Sequence, residues 1–593
     1  MELRLDRALP ALLAAAALIA ALPAPAAAQQ VTLPTTPANE RPPDHRLTTN
    51  AAVAIANRDS KVIAERRKRG PLRAVAYLKN GNEWQVSYFQ GQKERAQVTI
   101  FDPTSGVVES WAGYQVPWKM ARGYPGAFGR KLNAPYVWLP LCAIFLLPFI
   151  DFRRPLRLLH LDMVVLLLFG VSHIFFNSAR IDISVPLAYP VLLYLLVRML
   201  LAGFRPRGRP GKLVPHMRVT WLAMALLFLI GFRIALNVVD SNVIDVGYAG
   251  VIGANRIVHG QGLYDGKFPK DNEHGDTYGP VNYLAYVPFE RAFGWSGHWD
   301  PDMPAAHGAA IAFDLLSMLG LLVLGRRARP GPGGTGLGIV MAYAWAAYPY
   351  TLFAMESNSN DSLVAMLVVW ALVAIASAPL RGAVIGLAAA AKFAAGPLVL
   401  LFARGTGRFK TWHFVAALAA FVVVLAAAFL PFVPSHGGLR AVYDRTVGYQ
   451  TGRDSPFSVW GLYPALDWLQ TIAKVLTAGL AVAVAFVPRR RSLAQVAALG
   501  AAILIAVQLT VNHWFYLYIP WFTPFVLFAL FSAYRSPVME TAREPSTASA
   551  RRLEVQRERD APALRALRVL VARAAAIGAG RVRDRESLAA RES

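Results

Sequence analysis

Asp240-Ser-Asn-Val-Ile-Asp245-Val-Gly-Tyr248 closes one apolar run and opens a polar stretch, 239–303, that ends where the next apolar run begins. It continues through Gly260-Gln-Gly-Leu-Tyr264 to Asp276-Thr-Tyr278-Gly-Pro280. The runs on either side are compatible with hydrocarbon, and Asp240 and Asp245 stand at the boundary of the earlier one. A carboxylate at a membrane boundary is costly unless it is paired or used. The chemistry is therefore expected in this loop.

Outward from it, apolar runs long enough to span a bilayer, or nearly so, fall at 134–150, 158–177, 184–202, 218–238, 304–325, 337–355, 361–378, 412–433, 471–487, 493–511 and 514–533. Each reads as a helix, because a backbone facing lipid must satisfy its own hydrogen bonds. The segment 382–403 stands apart: it is apolar, lies between Arg381 and Arg404, and contains Lys392 and the breakers Gly396-Pro397. It reads as a re-entrant hairpin or a pair of half-helices, with a full span as the alternative, and Lys392 reads as a buried structural cation on the cytoplasmic side. The expected fold is thus an α-helical polytopic membrane protein of about eleven transmembrane helices plus a re-entrant segment, over 134–534.

Hydrophobic residues make up 55% of the 593 and charged residues 16%, outside the balance of a soluble globular chain. The net charge of +25 does not imply a nucleic acid partner. The bases cluster in short loops, at Arg153, Arg154 and Arg157, at Arg205, Arg207, Arg209 and Lys212, at Arg326, Arg327 and Arg329, at Arg404, Arg408 and Lys410, and at Arg489, Arg490 and Arg491. That is the pattern of cytoplasmic loops. The 240–303 loop carries nine acids against four bases and is expected outside, in a bacterial plasma membrane. The one cysteine, Cys142, lies in an apolar run, so no disulfide framework forms within the chain.

Residues 1–28 read as a secretory signal peptide, with Arg4 and Arg7, an apolar stretch 9–22 and Ala26-Ala27-Ala28; an uncleaved anchor is the alternative. Residues 29–49 read as a linker. From 50 to 130 the chain changes character: helical spacing over 50–68 is followed by alternating stretches at 73–78, 84–90, 97–101 and 107–111, separated by turn residues. A small exported α+β module is expected. Its Trp84-Gln-Val-Ser-Tyr88-Phe and Val98-Thr-Ile-Phe-Asp102-Pro-Thr-Ser-Gly106-Val-Val resemble the PepSY family of exported binding or regulatory modules. Residues 535–593 form a basic tail, expected in the cytoplasm, whose 562–582 stretch reads equally as a membrane-surface helix or as disordered chain.

Four outward patches converge if the helices bundle: the 240–303 loop; the short turn Glu356-Ser-Asn358-Ser-Asn360-Asp361; the 434–470 loop with Arg440, Arg445, Gln450 and Arg453-Asp454; and Asn512-His513-Trp514-Phe-Tyr516. Acids in one patch and cations in the others suit a transfer from a phosphate-linked donor, in which a base takes the acceptor's proton and cations hold the leaving phosphate. Arg fits that task through its bidentate fork. The aromatic residues also fit an interfacial belt. Asp271-Asn-Glu273-His-Gly-Asp276 is rich in oxygen ligands without the spacing of a calcium loop; no cofactor is expected, and a divalent metal stays open.

Asp245-x-x-Tyr248, then Gly260-x-Gly-x-Tyr264, then Tyr278-Gly-Pro280-x-x-Tyr283 resemble the first large external loop of the GT-C glycosyltransferases, nearest the polyprenol-phosphate-mannose-dependent α-mannosyltransferases. The similarity spans about 218–534. It departs where Tyr-Pro-Pro is common at the position of Tyr278-Gly-Pro280, and in having four spans before the loop. The resemblance implies a polyprenyl-phosphate sugar donor, membrane lipid as medium, a glycan or glycolipid acceptor, and an acidic loop residue as base. Carried over, Asp245 is the expected base with Asp240 as runner-up. Tyr248, Tyr264, Asp276, Tyr278, Asn358, Asn360 and Asp361 are expected to bind substrate, and Arg445, Arg453 and His513 the donor phosphate. A transporter or flippase of a lipid-linked substrate, motivated by 382–403, and a sensor built on the N-terminal module are the competing readings.

Overall fold

Two short helices and a four-stranded sheet precede the first apolar helix. The computed structural model describes residues 41–538 apart from 80, 81, 124–131, 133, 207, 209 and 210. The expected signal peptide, the start of the linker and all but the first residues of the basic tail lie outside the described residues.

In the N-terminal module the expected helix is two, Thr49–Ala56 and Ser60–Arg69. Asp59 breaks it by capping the second, accepting from the amides of Lys61 and Val62. Strands β1 (Arg73–Lys79), β2 (Glu83–Gln90), β3 (Lys93–Phe101) and β4 (Gly106–Ala112) follow as an antiparallel meander in that order. Trp84, Val86 and Tyr88 of β2 and Val98 and Ile100 of β3 are fully buried beneath Ala52, Ala56 and Val62. The expected strand positions hold.

The segment after β4 lies on the helical domain. Gln115 Nε2 donates to the Ala179 carbonyl at 3.2 Å, and a side chain on Gly123 (φ +62°) would strike the Ala179 backbone nitrogen at 2.3 Å.

Seven helices are long and apolar enough to cross a membrane: Leu158–Asn177, Ile181–Phe204, Val219–Asp240, Pro304–Ala328, Thr411–Phe432, Pro464–Phe486 and Leu493–Thr510. An eighth is Gly331–Ala347 joined to Pro349–Glu356 through a 60° bend. Pro349 forces Tyr348 into an extended conformation at the break. Pro135–Phe149, Asp361–Val373 and Tyr516–Phe531 are apolar but shorter, so among the described residues the count by length is seven or eight, not the expected eleven. Leu493–Thr510 is central, 83% of its apolar window being buried, against 11% for the peripheral Thr411–Phe432.

The segment around 382–403 is a hairpin and not one continuous helix. Ala378–Ala391 forms one arm, and Phe393–Leu398 with Val399–Arg404 the other. The arms run antiparallel: Arg381, near the start of the first, donates to the carbonyls of Phe402 and Ala403 at the end of the second. Lys392 sits at the tip. Its expected place on the side of Arg381 and Arg404 is therefore corrected; a 14-residue helical arm separates the two ends by about 21 Å.

Candidate active site

One face of Val219–Asp240 builds the floor. Arg233 donates to both carboxylate oxygens of Asp314, at 2.6 and 3.0 Å, and both side chains are 1% exposed. One turn further on, Asn237 Nδ2 donates to the Met355 carbonyl and to Asn358 Oδ1, at 2.8 and 2.9 Å. The chain leaving this helix then pairs with the polar turn: the amides of Asn242 and Ile244 donate to the carbonyls of Glu356 and Ser357. Every residue from Glu356 to Asp361 is buried, so this is an interior hub and not a solvated outer turn. Asn358 takes a left-handed backbone (φ +46°), held by bonds from its Nδ2 to Ser241 and Asn242. Gly247 packs so closely that a side chain there would meet the Asn358 carbonyl oxygen at 2.1 Å. Asp245, at the first position of helix Asp245–Val258, is thereby fixed above the hub.

The hairpin tip meets the hub from the other side. Lys392 Nζ donates to Asp361 Oδ1 at 2.5 Å, and Trp521 Nε1 donates to the same oxygen at 2.9 Å. The rings of Trp521, Tyr278 and Tyr518 surround the ammonium at 5.0, 5.4 and 5.5 Å. Tyr278-Gly279-Pro280 lies directly on the tip: the Gly279 amide donates to the Ala391 carbonyl, and a side chain on Gly279 would meet the Ala390 oxygen at 2.0 Å. Glycine is required there.

Asp245 makes no ion pair among the described residues, its Oδ1 accepting only from the Val246 amide. Protein packed around its carboxyl raises the pKa, while Arg453 and Lys392 pull it down and Asp361 pushes it up. The residue is nevertheless exposed, a carboxylate with protein packed on one side and open on the other. Asp240, the runner-up, ends its helix beside Glu356, on which its charge acts.

Arg453, whose charge acts on Asp245, stands beside His513. The Arg453 guanidinium lies 4.7 Å from the ring of Trp118 and 5.9 Å from that of Tyr449, and its buried Nε has no acceptor. His513 lies 5.5 Å from the same Trp118, the two rings tilted, and shares a 2.9 Å hydrogen bond with Ser455 Oγ through Nδ1. Burial, then the charges of Arg453 and Lys392, hold its pKa well below the usual histidine value. It is a neutral hydrogen-bonding group beside the cations.

The remaining expected residues hold the loop in shape. Tyr248 donates to Asp271 Oδ2 at 3.2 Å, and Tyr264 to the Tyr278 carbonyl at 2.9 Å. Asp276, 1% exposed, accepts from Arg445 at 3.0 Å, and Gln450 reaches Thr277 at 3.1 Å. Arg445 stands in a π-helical turn, Asp444–Gly448, a distortion frequent at functional sites. It ties the 434–470 loop to the 240–303 loop. Asn360 donates to Asn282 Oδ1 at 2.7 Å. Buried polar atoms without protein partners gather here, at Asp276 Oδ1, Asn282 Nδ2, Asn360 Oδ1, Asp361 Oδ2 and Arg453 Nε. Such atoms are rare in folded interiors.

Residues 277–515 match the model of Glycosyltransferase family 87. The match covers about two fifths of the chain, and with the apolar helices it indicates a membrane glycosyltransferase. Its limits take in Tyr278, Asp361, Lys392, Arg445, Arg453 and His513, while Asp240, Asp245 and Asp276 precede it. No curated protein and no solved structure matches the chain.

Lys392, Trp118, Tyr449, Tyr518 and Trp521 join the site without having been among its expected members. Lys392 carried a signal, a lone cation in an apolar segment. The aromatic residues carried none beyond their type.

Proposed function

We propose that this membrane glycosyltransferase moves a sugar from a polyprenyl-phosphate donor, mannose being the sugar the resemblance favours, to a glycan or glycolipid hydroxyl at Asp245, on the outer face of the plasma membrane. The observation that carries the reading is the Asp245 carboxylate: among the described residues it has no ion-pair partner, it is exposed, and it lies within the field of Arg453 and Lys392. The other loop acids considered are engaged or turned elsewhere, Asp276 by Arg445 and Asp361 by Lys392.

In the step, Asp245 takes the proton of the acceptor hydroxyl as that oxygen bonds to the anomeric carbon. The bond from that carbon to the phosphate oxygen breaks, and the phosphate leaves with the electron pair. A β-linked donor attacked directly gives inversion. Arg453, with a free Nε, stabilises the leaving phosphate, and neutral His513 donates a hydrogen bond to it. A raised Asp245 pKa strengthens the base. Arg445 acts indirectly, by fixing the loop through Asp276. The PepSY-like module of the N-terminus contributes Trp118, against Arg453.

The test is transfer of radiolabelled sugar from polyprenyl-phosphate-linked donors in membranes, wild type against Asp245→Asn at equal protein level. Incorporation by wild type and its loss in the variant support the reading. Full activity in Asp245→Asn with loss in Asp240→Asn moves the base to Asp240. The hairpin with Lys392 at its tip also fits a transporter of lipid-linked substrate; vesicle uptake without product formation by folded protein would favour that.

A further inference from the structure

At the end of the hairpin remote from Lys392, three arginines are buried without a carboxylate. Arg381, Arg404 and Arg491 are each 3–4% exposed, and among the described residues none of them forms an ion pair. Backbone carbonyls hold them: Arg381 bonds Ile375, Phe402 and Ala403, Arg404 bonds Gly407 and Arg489, and Arg491 bonds Pro488. Carbonyls position a guanidinium and leave its full charge in place.

The loop between the arms and the next helix is shaped around these groups. Gly405 (φ +63°) lies so near Arg381 that a side chain would meet its Cζ at 2.8 Å. The Gly407 amide donates to the Arg491 carbonyl at 2.9 Å, which brings the third arginine alongside. A cavity of about 430 Å³ opens here, lined by Arg381, Arg404, Arg408, Lys410 and His413 with Thr406. Among the described residues its lining contains no acid. Arg404 Nη1 and Arg491 Nε and Nη1 are buried without an acceptor.

Like charges brought together in a low-dielectric setting destabilise a fold unless an anion joins them. Phe409 and Trp412, next in the chain to the lining residues Arg408, Lys410 and His413, are 51% and 76% exposed, apolar surface of the kind a lipid boundary covers.

We propose that this cavity is a binding site for a phosphate group, separate from the site of sugar transfer. Guanidinium forks match phosphate oxygens in pairs, and the volume admits one headgroup. The phosphate belongs to an anionic lipid headgroup or to a soluble phosphate compound, and the two sources are separable.

The experiment uses the full chain in neutral detergent and reads melting temperature against added short-chain phosphatidylglycerol, and in parallel against inorganic phosphate with chloride at matched ionic strength. We expect saturable stabilisation that weakens roughly tenfold or more in apparent affinity in Arg404→Gln, and likewise in Arg408→Gln/Lys410→Gln. The second variant changes exposed residues only and keeps the test usable if Arg404→Gln folds poorly. Stabilisation by the lipid alone assigns a headgroup, and stabilisation by inorganic phosphate assigns the soluble source; both support the site. No stabilisation by either probe, or equal stabilisation in wild type and in the Arg408→Gln/Lys410→Gln protein, overturns it.

Discussion

Lys392 Nζ lies 2.5 Å from Asp361 Oδ1, with side chains 9% and 1% exposed. The pair joins the tip of a helical hairpin to the polar hub under the candidate base. Removing one partner leaves an uncompensated buried charge, which typically costs about 3–5 kcal/mol. Lys392→Met and Asp361→Leu are each expected to lower folded yield and melting temperature, and the double substitution to recover much of both. Additive losses in the double variant would show that the two residues act independently.

Asp245→Asn keeps the shape of the side chain and removes the proton acceptor. Transfer is expected to fall by about 10²–10⁴-fold, the range for a general base, with melting temperature unchanged. Asp240→Asn should stay within a few-fold of wild type. The two rates, measured at saturating donor, decide which carboxylate serves.

Trp118 lies against both Arg453 and His513, so Trp118→Ala loosens the cation that acts on Asp245. A cation–π contact is worth about 0.5–2 kcal/mol, and a rise in KM for the lipid donor of the corresponding few-fold to thirtyfold is expected, with a smaller change in kcat. An unchanged KM would detach the N-terminal module from donor binding.

Asp276 has its pKa raised to about 6, by burial first, with Arg445 opposing. A carboxyl whose folded pKa exceeds its unfolded value of 3.8 adds stability that is complete below about 4 and lost as the pH rises through 6. The difference in stability between wild type and Asp276→Asn should therefore shift against wild type from pH 4 to pH 7, by about 3 kcal/mol at most. Melting curves across that window test the sign; a wild-type advantage that grows with pH would mean the Arg445 pair outweighs burial.

Gly279→Ala drives a methyl group into the Ala390 carbonyl at 2.0 Å. Overpacking of this kind costs about 1–3 kcal/mol, and the loop should part from the hairpin tip. Gly333→Ala, where nothing lies within 4 Å, is the neutral control. Equal melting temperatures for the two variants would contradict the close approach.

The sequence alone determined the class of the fold, because bilayer burial writes itself into runs of apolar residues, and alternation with turn residues writes out the small sheet of 73–112. It also marked the acidic loop and the Lys392 segment, since charges in apolar surroundings stand out one residue at a time. It did not determine which acid is free. Asp245, Asp276 and Asp361 are chemically alike along the chain, and only the partners brought to two of them, Arg445 from 169 positions away and Lys392 from 31, separate their roles. Span count likewise depended on the tertiary structure. The bend at Tyr348 and the shortness of Pro135–Phe149, Asp361–Val373 and Tyr516–Phe531 are set by how the helices pack, which a run of apolar residues does not record. Trp118 joined the site because a docked module carried it there, and docking leaves no periodic trace in the sequence.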